Sequence, residues 1–178
     1  MFQSMGSQAT RRLCGVGLGL VITCLASPSL RADDRLGAHF GAVFPLVTHV
    51  DGKTTNIGDD FKVGFPMGIT VKKTDKFAFD LEIVPFIDPV KDGPTNVPLL
   101  IHPGVLRDLG DHFTLGLRMG FEIGGAAWGF TPLLNKAFPQ DDHALFVEAV
   151  VPIRFVNGNP TGETHTAITF AVHVGVGF

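Results

Sequence analysis

The sequence predicts an all-β chain: an eight-stranded antiparallel up-and-down transmembrane β-barrel preceded by a signal peptide. Three observations lead there. Apolar residues alternate with small or polar ones along most of the chain after Asp34. No stretch beyond residue 32 holds the roughly 18 uninterrupted apolar residues that a membrane-crossing helix needs, because charges, Gly or Pro break every run. The last residues place Phe170, Val172, Val174, Val176 and Phe178 at every second position.

Residues 1–32 read as the signal peptide. Arg11 and Arg12 form its basic start, Leu13 to Leu25 its short apolar core, and Ala32 a small residue at the cleavage point. The arginine pair lacks the rest of a twin-arginine motif. Cys24 lacks a suitably small residue before it for a lipoprotein signal, since Thr23 stands there. The barrel domain is expected over 33–178. Removing the leader takes away three of the 14 Lys and Arg and none of the 17 Asp and Glu, so the exported chain carries about −6. That balance gives no footprint for nucleic acid. Both cysteines, Cys14 and Cys24, leave with the leader, as do all four serines, and the chain has no Tyr. The exported protein therefore has neither a disulfide nor a serine nucleophile.

Alternation with period two puts one residue set on each face of a strand. The first strand, from Leu36 to Leu46, sets Leu36, Ala38, Phe40, Ala42 and Phe44 against Gly37, His39, Gly41 and Val43. The second sets Val63, Phe65, Met67, Ile69 and Val71 against Gly64, Pro66, Gly68 and Thr70. In the third, Phe77, Phe79, Leu81 and Ile83 oppose Ala78, Asp80 and Glu82. In the fourth, Val97, Leu99, Ile101, Pro103 and Val105 oppose a face with His102 and Gly104. The fifth is the clearest: Phe113, Leu115, Leu117, Met119, Phe121 and Ile123 against Thr114, Gly116, Arg118, Gly120 and Glu122. Residues 128–138 supply the sixth, although Pro132 interrupts a poor pattern. The seventh runs from Leu145 to Phe155 with Glu148, Val150 and Arg154 opposite, and the eighth from Ile168 to Phe178 with Thr169, Ala171, His173, Gly175 and Gly177 opposite. Short polar turns at 72–76, 107–111 and 139–142 fall on one side. Longer connections at 47–61, 88–96 and 156–164 fall on the other, with 124–127 a short exception. That asymmetry suits a barrel with short periplasmic turns and longer outer loops.

One face is nearly all Phe, Leu, Ile and Val, and the other mixes Gly, Ala, Thr and His with scattered charges. A narrow eight-strand lumen has room for small and polar side chains only, so the bulky face is expected to meet lipid. A closed barrel also satisfies every backbone donor and acceptor without water. The run Phe170, Val172, Val174, Val176 and Phe178 resembles the C-terminal insertion signal of bacterial outer-membrane barrels. Over residues 35–178 the chain resembles, in architecture, the small eight-stranded outer-membrane class of the OmpA transmembrane-domain, OmpX and OmpW types. It departs from that class in lacking Trp and Tyr girdles, with Phe in their place. The resemblance implies the outer membrane of a Gram-negative-type bacterium as location, with outer-membrane lipid and the barrel-assembly machinery, engaged through the C-terminal strand, as partners.

The interior is expected to hold Lys62, Asp80, Glu82, His102, Arg118, Glu122, Glu148 and Arg154 as a self-pairing polar network, because buried charges persist only when partnered. A narrow proton or ion path is the sharper alternative. His39 and His173 point inward from strands that become neighbours on closure, but no third ligand is fixed, so no metal site is assigned. Asp51, Asp59 and Asp60 read as a solvated acidic loop rather than a Ca²⁺ site. Known lipid-modifying barrels of this size rely on a serine, and none is left after export. No spacing singles out a His–Glu pair such as His102 and Glu82. No catalytic residue and no cofactor is assigned. Three functional readings follow: a non-enzymatic barrel with a structural or envelope-interaction role, a narrow pore for small or hydrophobic solutes, and a soluble secreted ligand-binding barrel.

Overall fold

The computed structural model describes residues 35–89, 95–124, 127–157 and 162–178. The expected signal peptide, with its cysteines, lies outside the described residues, as do parts of the connections at 88–96, 124–127 and 156–164. The strands are β1 (Leu36–Val50), β2 (Lys53–Asn56), β3 (Val63–Gly64), β4 (Met67–Lys72), β5 (Phe77–Ile87), β6 (Leu99–Gly110), β7 (Phe113–Ile123), β8 (Ala127–Pro139), β9 (Ala144–Val150), β10 (Ile153–Asn157) and β11 (Thr164–Gly177). They make eight staves, since β2, β3 and β4 follow one another along the second and β9 and β10 along the seventh.

Every stave is antiparallel to its neighbours, and β1 pairs with β11 to close the ring, from His39 opposite Gly177 to Val50 opposite Ala167. Closure leaves no free sheet edge along this seam, which removes the aggregation hazard of an open edge. Prolines mark the interruptions. Phe65 and Pro66 separate β3 from β4, and Val151 and Pro152 separate β9 from β10. At Pro66 and Pro152 the carbonyls still accept, from Gly41 N at 2.9 Å and from Thr169 N at 2.9 Å. A proline lacks only the donor half of a ladder pair, so it is tolerated where pairing is already broken.

Two expectations about elements need correction. The segment 47–61 is not a loop throughout: β1 continues to Val50, turns at Asp51 and Gly52 with φ of 49° and 78°, and returns as β2. Two successive positive φ values belong to the tight turn whose twist matches the strands it joins. Pro132 does not interrupt the sixth stave. It lies within β8 opposite Leu117, and here the other neighbour of β8 changes from β10 to β9, so the missing donor falls at a junction.

The burial pattern follows the alternation. On the outer face Phe79, Leu117 and Val174 are 58%, 47% and 39% exposed. Trp128, Leu134, Leu145 and Phe170 continue this band around the ring. The buried residues line the lumen, where Val43, Val84, Leu100, Leu133, Val150 and Ala171 pack together. The barrel is thus apolar outside and mixed inside, the inverse of a barrel built for water.

Candidate functional site

At mid-height, charged side chains from three staves meet at Arg118 of β7. Its Nε donates to Asp80 Oδ2 at 2.7 Å and its Nη1 to Glu148 Oε1 at 2.9 Å, with Glu82 Oε2 at 3.4 Å from the same Nη1. Thr70 Oγ1 donates to the other oxygen of Asp80 at 2.7 Å. The backbone makes room for the guanidinium. A Cβ on Gly104, on the neighbouring strand, would stand 2.6 Å from Arg118 Cγ. Asp80, Glu82, Arg118 and Glu148 are all buried, and histidines also meet carboxylate oxygens of Glu82 and Glu148.

Three histidines stand around the carboxylates. His102 Nδ1 lies 3.0 Å from Glu82 Oε1, while its Nε2 lies 2.7 Å from Arg154 Nη2. A guanidinium has no lone pair to offer, so Nε2 must accept, and Nδ1 carries the hydrogen that Glu82 accepts. His102 is therefore a neutral bridge. His39 Nε2 donates to Glu82 Oε2 at 3.2 Å, with its Nδ1 4.0 Å from Asp80 Oδ1. His173 Nδ1 donates to Glu148 Oε1 at 3.3 Å, and its Nε2 is buried without a partner. The rings of His39 and His173 lie 6.3 Å apart between centroids, with Phe146 edge-on to both.

Arg154 of β10 holds the next layer toward the long-loop end. Nη2 donates to Thr131 Oγ1 at 2.9 Å as well as to His102, and Nη1 donates to the carbonyls of Phe130 and Ile153 at 3.1 and 3.2 Å. Gly120 leaves the space, since a Cβ there would be 2.6 Å from Arg154 Cζ.

Above these layers the lumen opens into a cavity of about 560 Å³. Glu82, Arg118, Glu148 and His173 form its floor, and Val43, Val84, Phe86, Leu100 and Val150 line its walls. On the turn side of the floor, Leu106 and Leu133 close in on Gly116.

Of the residues expected in the polar network, Asp80, Glu82, His102, Arg118, Glu148 and Arg154 lie in this hydrogen-bonded set. Two do not. Lys62 is corrected to the mouth, in the connection between β2 and β3, where it bridges Asp60 at 3.1 Å and Asp88 at 3.2 Å. Burial alone would lower its pKa, but the two carboxylates outweigh this and raise it above the ordinary lysine value. Glu122 faces the cavity but stands apart, half-buried, with no ion pair or hydrogen bond among the described residues. His39 and His173, expected to point inward, also join the network, and Thr70 and Thr131 complete it unforeseen from sequence. Asp51 contacts His165, and Asp59 accepts from Asn56 N at 3.1 Å, so the first-loop acids are engaged separately. Among the described residues no group of three potential ligands converges on a metal position.

No protein-family model matches the chain, and no curated protein matches it. Among solved structures it is similar to the outer membrane protein OprG from Pseudomonas aeruginosa. The two share 12% identity and a TM-score of 0.39, over 80% of this chain and 94% of that one. That likeness concerns the fold alone.

Proposed function

We propose that this barrel spans the outer membrane of a Gram-negative-type bacterium as a non-enzymatic envelope protein whose lumen is plugged at mid-height. The observation that carries the reading is the pairing of two opposite surfaces. The outer wall exposes a continuous apolar band around all the staves, far beyond the few hundred Å² that soluble monomers tolerate. The lumen is crossed by buried ion pairs rather than by an open channel. Hydrocarbon solvates the first, and the second costs least when every charge has a partner. The short turns then face the periplasm, and the assembly machinery engages the strand ending in Val172, Val174, Val176 and Phe178.

Two measurements test this. Detergent-folded protein should migrate faster before boiling than after it, as a closed barrel does. In planar bilayers it should give no stepwise ion current. Regular current steps would favour the narrow-pore reading and remove the plug.

A further inference from the structure

The charged groups lining the cavity are not equally occupied. Arg118 is held by three carboxylates, Arg154 by four neutral acceptors, and Lys62 by two aspartates at the rim. Glu82, Glu148 and Asp88 are likewise paired. Among the described residues, Glu122 is the one charged lining residue without a partner within bonding distance. Register places it opposite Leu100, which in turn faces Val84, so the carboxylate is level with the apolar wall. Phe86, the aromatic ring on that wall, is two residues further toward the mouth on β5. Around the mouth the described residues Asp51, Asp59, Asp60, Asp88 and Glu163 outnumber Lys53 and Lys62.

We propose that the loop-side cavity binds a small organic cation with an apolar body, an alkyl- or arylammonium, with Glu122 as its counter-charge. An acidic rim raises the local concentration of a cation. The apolar walls take its hydrocarbon part, and a half-buried carboxylate gives a charge-assisted hydrogen bond to the ammonium. A volume of about 560 Å³ falls within the range of small-molecule sites. An anion would meet Glu122 on the wall and find both terminal nitrogens of Arg154 already engaged. The nearby positive charges of Arg154 and Lys62 oppose a cation and limit the affinity, so selectivity rather than tightness is the expected mark of the site. The inference rests on the plugged-lumen reading insofar as it takes the cavity to be a dead end.

The test is calorimetric titration of the whole barrel in phosphatidylcholine nanodiscs at neutral pH, with empty nanodiscs subtracted. The probes are 2-phenylethylammonium, neutral 2-phenylethanol and anionic 3-phenylpropanoate. The ammonium should bind roughly 10-fold or more tightly than either of the others, as one charge-assisted contact implies. Glu122→Gln should abolish that preference while leaving the heat-modifiable mobility intact. Equal binding of the alcohol or the acid, or an unchanged preference in Glu122→Gln, would overturn the site. The comparison of the three probes uses the unaltered chain and survives a misfolded variant. Ammonium selectivity alongside stepwise currents would retire the plug and keep the site. A silent bilayer without selectivity would do the reverse.

Discussion

At the scale of single residues, Arg118 decides whether the lumen holds together. Removing it leaves Asp80, Glu82 and Glu148 facing one another in a buried space. Breaking a buried ion group in this way costs about 3–5 kcal/mol. Arg118→Gln should lower stability by that amount in urea-titrated refolding into vesicles. Gly120→Val should cost about 1–3 kcal/mol by overpacking, because a side chain there displaces Arg154 from His102 and Thr131. Lys62 acts at the rim and through pH. Its folded pKa is raised, so its contribution is complete below the unfolded value and is lost as pH rises through the folded one. A titration followed at Lys62 Nζ should therefore show a midpoint above that of lysine in a short peptide, and the Lys62 bridges to Asp60 and Asp88 should persist between pH 6 and 8. The charged lumen residues were legible because each falls on the inward phase of an apolar alternation. Thr70 and Thr131 were not, since a threonine on an inward position looks the same whether it fills space or bridges ions. Lys62 was misplaced by extending strand parity backward from Val63 into a connection that has none.

At the scale of elements, the polar hairpin of β1 and β2 marks the limit of reading by hydropathy. Residues 51–56 are Asp-Gly-Lys-Thr-Thr-Asn, polar on both faces, so they resemble a loop although β2 pairs with β1 from Val47 to Val50. The Asp-Gly pair was the available signal, because that dipeptide favours two successive positive φ values. Gly52→Val places a branched side chain at φ 78° and should cost about 1–2 kcal/mol. Faster hydrogen exchange confined to β2 and the adjoining end of β1 would register it. The sixth stave was obscured differently. Its inward set, Ala127, Gly129, Thr131, Leu133, Asn135 and Ala137, includes a buried Leu, and its outward set includes Pro132 and Lys136. Lys136 lies over the Phe113 ring at 4.1 Å, an arrangement suited to a membrane boundary, where a cation and an aromatic ring share the interface.

At the scale of the whole molecule, the fold was readable because one period governs nearly every stave, and closure follows from pairing the first strand with the last. What the lumen does was less readable, since it depends on which inward groups meet across the barrel, and sequence order does not show that. The central claim is that the exposed apolar wall faces hydrocarbon. The most direct measurement of it is the stability of Leu117→Arg, at a position 47% exposed on β7, refolded into lipid vesicles. An arginine near the bilayer midplane should cost about 2–4 kcal/mol. A change within about 0.5 kcal/mol, the usual result at a water-exposed surface, would contradict the account.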